Sequence, residues 1–420
     1  MRISIQNRKV KCGILITLIF IYVFNPPLIP LNMHIIVEGI AVIYLIWYML
    51  KKHGCILINR KLLSIAGAFL PFLIYEIVMT VIHTTSAVGN VSAYTSEFLL
   101  VIRIFVRLFI VCSAYYFFTI DNKISSDDQY EIFMIVAIIQ LFFVFLSLVV
   151  PTVRTTIMNM IINNSSDSNI VSAVNRLSAR RGYGLAENLF DSFGYILSIL
   201  IAIIYLSWLE KGGLKKIVVS ILLMVACVLN ARTGVLLGIL VIVISSFIYK
   251  KSNGQIKYFL MAVICFPFIF FVFMKLMQTL MPSTLAWILE GYIEVMTLLQ
   301  GGKYIGTFEI LLQSNIFFPG DILLGAGGSP ENLSKISLDV GYVQCVWRYG
   351  IIGTTLLIGG YLINLFRFFG SGNRKYKILV IVIAILFIIY LFKIFSINNI
   401  GAHFLVLAVI MGGVADERTT

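Results

Sequence analysis

The chain has 420 residues, of which 60% are hydrophobic and only 12% charged. A soluble domain carries roughly 45–50% apolar and about 25% charged residues, so this composition excludes an ordinary soluble fold and requires lipid-facing surface. The net charge of +13 would suit a nucleic-acid partner, but the placement of the charges removes that reading.

In chain order, the apolar runs are Ile14–Phe24, Ile35–Leu50, Leu62–Ile82, Phe98–Phe118, Ile132–Val150, Phe193–Trp208, Ile217–Leu229, Val235–Ile248, Phe259–Leu280, Val340–Phe366, Ile378–Phe395 and Ile400–Val414. A membrane-spanning helix needs about 20 mostly apolar residues. The pattern therefore predicts an all-α, polytopic integral membrane protein of about twelve spans, read as one membrane domain over residues 1–420. The shorter runs borrow flanking residues such as Asn230–Gly234. Ile14–Phe24 leads into Asn25-Pro26-Pro27 with no small-residue cleavage site, so no cleavable signal peptide is expected. Most connections are short, but two are long, 151–191 and 282–339. The first is rich in Ser and Asn and ends in a basic cluster; the second is expected to hold a short interfacial helix near Leu285–Leu299.

Alternate loops carry 20 of the 32 Lys and Arg residues, while the opposite loops hold seven. Because cytoplasmic loops are enriched in Lys and Arg, both termini are expected in the cytoplasm and both long loops in the periplasm. The basic balance is then largely topogenic. None of the six cysteines falls in an outside loop, and the four histidines are scattered, so neither a structural disulfide nor a metal site is expected.

Ionisable residues at membrane depth mark functional sites by default. Here they are Glu38, Glu76, Arg103, Arg107, Lys275, Arg348 and Lys393, each toward the expected outer end of its span. Arg103 and Arg107, four residues apart, share a helix face. They fit either an internal ion-pair network with Glu38 and Glu76 or a site for a phosphate-bearing head group, whose geometry suits arginine. Lys275 and Lys393 read as snorkelling residues.

Three loop segments add to this set. Arg180-Arg181-Gly-Tyr-Gly-Leu-Ala-Glu187, before the sixth span, combines two guanidinium groups with a carboxylate. Asn230-Ala-Arg232-Thr-Gly234 is a tight outside turn. Leu324-Gly-Ala-Gly-Gly328 precedes Asp339-Val-Gly-Tyr342 and then Arg348-Tyr-Gly350-Ile-Ile-Gly353. Asp339 and Tyr342 share a face, whereas Arg348 points roughly the other way and about 13 Å deeper at ~1.5 Å per residue. The glycines are also compatible with simple close packing of helices.

Arg181-x-x-Gly184 before a span, the Ala-Arg232-Thr-Gly turn, and Gly-x-Gly followed by Asp-x-x-Tyr and Gly-x-x-Gly resemble the O-antigen polymerase (Wzy-type) and O-antigen ligase superfamily. The order of the segments, the span number and the two long loops match along essentially the whole chain. The ligase branch usually carries His where this chain has Asp339, which favours the polymerase. The Arg-x10-Gly pattern of some polymerases is absent from the first loop. The resemblance implies a metal- and cofactor-independent inverting glycosyltransferase of the bacterial inner membrane, acting on undecaprenyl-pyrophosphate-linked oligosaccharide with a chain-length co-polymerase as a further partner. It points to Arg180, Arg181, Arg232, Arg103, Arg107 and Arg348 for the pyrophosphate, to Asp339 or Glu187 as base, and to Tyr342 beside Asp339 as a substrate contact.

Overall fold

The computed structural model describes residues 2–29, 32–51, 60–86, 91–164, 184–187, 190–230, 232–249, 271, 274–275, 277–279, 282–300, 318–328, 341–367, 369, 374–393 and 399–416. Every regular element among them is a helix: α1 Arg2–Phe24, α2 Met33–Lys51, α3 Arg60–Ser86, α4 Val91–Asp121, α5 Ser126–Val149, α6 Pro151–Asn164, α7 Phe190–Lys211, α8 Leu214–Asn230, α9 Arg232–Ile248, α10 Pro282–Leu299, α11 Gly341–Arg367, α12 Arg374–Lys393 and α13 Ile400–Asp416. Helices are the form that lipid imposes, because each satisfies its own backbone N–H and C=O groups.

Among the described residues, six stretches are long and apolar enough to cross a membrane: Met33–Lys51, Leu63–Thr85, Tyr94–Asp121, Ser126–Val149, Ser192–Lys211 and Gly341–Arg367. Gly234–Ile248 and Ile400–Met411 are shorter apolar helices. Most of the expected ninth span, Phe259–Leu280, lies outside the described residues. The chain is thus an all-helical, membrane-embedded protein with several crossing helices. Helix α10 forms where an interfacial helix was expected. The first long connection opens with a helix, α6: Pro151 starts it at a position where proline is favoured, and Ile157 and Ile161 bury one face.

The chain divides into two compact units, Met1–Ile35 with Asp127–Gly306 and Ile36–Ser126 with Thr307–Thr420. In the first, α7 packs against both α8 and α9. Residues Phe193–Leu209 are all buried, as a helix apolar on every side requires. Glycines allow this closeness: a Cβ on Gly234 would sit 3.1 Å from Gly194 Cα. In the second unit α3 packs on α4 and α11, α4 on α13, and α11 on α12. Phe69, Phe72, Val101, Tyr349, Leu357 and Phe387 belong to its core.

Candidate functional site

The site is built on a break in α11. At Gly350 the backbone takes φ 64° and ψ −178°, so the helix stops and restarts one residue later. Regular winding would send the Ile351 and Ile352 N–H groups to the carbonyls of Trp347 and Arg348. Instead Ile351 donates to Ile322 O at 2.9 Å and Ile352 to Leu323 O at 3.2 Å. The Trp347 carbonyl, released from the helix, accepts the Ala326 N–H at 2.7 Å. Residues 321–326 thus form a strap that replaces the missing turn of helix.

The strap is held from both sides. Asp321 Oδ1 accepts the N–H groups of Leu323 and Leu324, each at 3.0 Å, and Gly325 N–H donates to Asp321 O at 2.9 Å. Tyr75 on α3 directs its single hydroxyl proton between two carbonyls, Tyr349 O at 2.9 Å and Leu324 O at 3.1 Å. Gly325, at φ 77°, faces Gly350 backbone to backbone. A Cβ on Gly325 would stand 2.3 Å from Gly350 N, and one on Gly350 2.2 Å from Leu323 O. The two glycine motifs, about 25 residues apart in sequence, are the two halves of one joint.

A charge cluster lies one turn from this joint. Arg348 Nη1 meets Glu97 Oε2 at 2.5 Å, with side-chain exposures of 11% and 9%. Glu76 on α3 is 6% exposed and close enough to Glu97 for the carboxylates to repel. Three ionisable groups in a buried setting are costly to keep unless they are paired. The Arg348 guanidinium pairs with Glu97, and Glu76 stands beside that pair on the neighbouring helix. Beyond it, His83 and Tyr94 stack at 5.1 Å between ring centroids, and Gly327 fits against them.

The other predicted residues divide between the two units. In the second, Arg107 Nε pairs with Glu38 at 2.6 Å, half-buried on both sides. Arg103 is exposed on the stripe that runs through Leu99 and Val106. The ion-pair reading holds for Arg107 and Glu38; Glu76 stands apart, beside Glu97. Tyr342 lies half-buried in the first turn of α11.

In the first unit, Glu187 is fixed by the end of α1. Asn25 takes φ 44° there; its Nδ2 donates to Glu187 Oε2, and Glu187 N–H donates to Phe24 O and Asn25 O, both at 3.1 Å. His34 N–H donates to Asn25 Oδ1 at 3.2 Å. Glu187 keeps an exposed edge, yet desolvation raises its carboxyl pKa above the ordinary value. Gly184 lies against the buried Gln140 amide, with no room for a side chain. Arg232 opens α9, as the turn reading predicts, with its side chain outside the described residues. Arg180, Arg181 and Asp339 also lie outside them, as does the Lys393 side chain; Lys275 is exposed.

Glu97 is the functional candidate that the sequence reading passed over. It stands one residue ahead of the apolar run Phe98–Phe118, so it counted as loop, although the helix continues through it. The usable signal was its spacing of six residues from Arg103 on one long helix. Asp321 and Tyr75 carried no comparable signal. No family model, no curated protein and no solved structure matches the chain.

Proposed function

We propose that this protein polymerises undecaprenyl-pyrophosphate-linked oligosaccharide repeat units into O-antigen or a related surface polysaccharide. The reaction takes place at the periplasmic face of the bacterial inner membrane, with both termini cytoplasmic. A sugar hydroxyl oxygen of one repeat unit attacks the anomeric carbon of another. The bond from that carbon to the pyrophosphate oxygen breaks, and undecaprenyl pyrophosphate leaves with the electron pair. The hydroxyl proton passes to a carboxylate acting as general base. Arginines directed at the leaving pyrophosphate stabilise its developing charge, which is the role assigned to Arg180, Arg181 and Arg232. Asp339 is the proposed base, with Glu187, which Asn25 holds in place, as the alternative.

The observation that carries the reading is the buried Arg348–Glu97–Glu76 cluster beside a broken helix. It supports acid–base chemistry within a membrane protein, and the motif order supports its assignment to polysaccharide assembly. The same broken helix favours a second reading, a lipid-linked oligosaccharide flippase, because discontinuous helices are common in transporters. Deleting the gene in its host and sizing the surface polysaccharide on a gel separates the readings. Single-repeat chains support the polymerase. Uncapped lipid A core indicates a ligase, and loss of exported sugar a flippase; either overturns the proposal.

A further inference from the structure

A second site in the 36–126/307–420 unit is apolar. Between α3, α4, α11 and α13 lies a cavity of about 240 Å³, with Phe69, Phe105 and Tyr361 on its inner wall and Val106 and Phe109 at its rim. The inner rings are packed edge to face and tilted, Phe69 4.8 Å from Phe105 and 4.9 Å from Tyr361. The rim residues are 51% and 40% exposed. The cavity therefore opens onto the surface that a membrane-embedded helix bundle presents to lipid. It exceeds the roughly 150 Å³ apolar cavity that takes up benzene, and is large enough for a segment of one hydrocarbon chain.

Its depth can be read along α4. The Lys51–Asp121 pair joins the ends of α2 and α4 at 3.5 Å, with the lysine side chain 48% exposed, and marks one water boundary. Arg103 stands about 18 residues from Asp121, roughly 27 Å at ~1.5 Å per residue, close to the ~30 Å thickness of the hydrocarbon core. Arg103 therefore sits at the opposite boundary, and the α4 residues lining the cavity, Phe105 to Cys112, fall roughly 3–14 Å inward of it. Arg103 and Val106, three residues apart, share the exposed stripe.

The local charge selects the occupant. Arg107, one turn on, is already neutralised by Glu38 at 2.6 Å, and Arg103 has no ion-pair partner among the described residues. One net positive charge above an apolar groove matches a phosphodiester monoanion rather than a multiply charged pyrophosphate. We propose that the groove holds one acyl chain of an anionic phospholipid from the surrounding leaflet, with its phosphate on Arg103. This site is separate from the Arg348–Glu97 cluster and stands whether or not the glycosyl-transfer reading does.

The test is native mass spectrometry of the full chain purified in detergent and titrated with phosphatidylglycerol, phosphatidylethanolamine or undecaprenyl phosphate. Phosphatidylglycerol is expected to bind at least tenfold more tightly than the other two. Arg103→Gln is expected to lower its affinity about tenfold, the scale of losing one charge-assisted phosphate contact. Arg103→Lys should restore most of it, Val106→Trp should block the groove, and Arg154→Gln should change nothing. Because Arg103 is exposed, its variants keep the wild-type unfolding temperature. Equal affinity of wild type and Arg103→Gln for phosphatidylglycerol overturns the proposal. So does equal or tighter binding of either other lipid to the wild-type chain.

Discussion

Replacing Gly350 by alanine tests the joint at the centre of the candidate site. Its backbone, φ 64° and ψ −178°, is in a region open in practice only to glycine, and an L side chain there costs on the order of 1–3 kcal/mol. The added Cβ would also meet Leu323 O at 2.2 Å, Leu324 C at 2.4 Å and Gly325 N at 2.6 Å. All three are backbone atoms of the strap, which cannot swing aside as a flexible side chain would. The strap must move, and each backbone hydrogen bond it abandons leaves an N–H or C=O group unpaired, at about 1–3 kcal/mol. Losing one of the bonds from Ile351, Ile352 or Ala326 brings the total to roughly 2–6 kcal/mol. Gly359 supplies the control on the same helix, since a Cβ there meets nothing within 4 Å. Gly359→Ala should be neutral or stabilising by up to about 1 kcal/mol. Thermal unfolding of the purified variants in detergent should show Gly350→Ala lower by on the order of 10 °C and Gly359→Ala unchanged or higher. Equal unfolding temperatures for the two variants would refute the strap.

Arg348→Ala removes the guanidinium that pairs with the buried Glu97, and should destabilise the protein by about 3–5 kcal/mol. The double variant Arg348→Met/Glu97→Leu should recover most of that loss; failure to recover stability in a melt would show that the two are not a coupled pair. Glu187 has a raised folded-state pKa, so the folded protein binds more protons there than the unfolded chain does. Its contribution to stability is fully present below the unfolded carboxylate value and is lost as pH rises through the folded one. Glu187→Gln should remove that part of the pH dependence in unfolding scans, and an unaltered profile would count against desolvation of this carboxyl. Arg181→Ala and Arg232→Ala should abolish chain extension while membrane insertion, followed by fractionation, stays normal; long chains from both would sink their assignment.

Six of the twelve expected spans coincide with helices long and apolar enough to cross a membrane, because burial in lipid leaves little choice of side chain. Helix α10 was legible for a related reason, its apolar residues recurring between Pro282 and Gln300. Helix α6 was not, since Thr and Asn dominate its sequence and only Ile157 and Ile161 are buried. The glycines were visible as motifs, but their meaning depended on a contact between Gly325 and Gly350 that no local pattern specifies. Arg103 and Arg107 show the limit of spacing arguments. Four residues advance a helix by somewhat more than one turn, and that offset suffices to place one against Glu38 and leave the other on the exposed stripe. Glu97 was missed because the end of an apolar run is not the end of the helix that carries it.

The most direct test of polymerase function is reconstitution of the purified full chain in liposomes with an undecaprenyl-pyrophosphate-linked repeat unit, in the presence of a chelator and without nucleotide. The expected result is a ladder of products lengthening by one repeat unit per step, lost in Arg232→Ala. A substrate that stays a single repeat, or that merely changes leaflet, would contradict it.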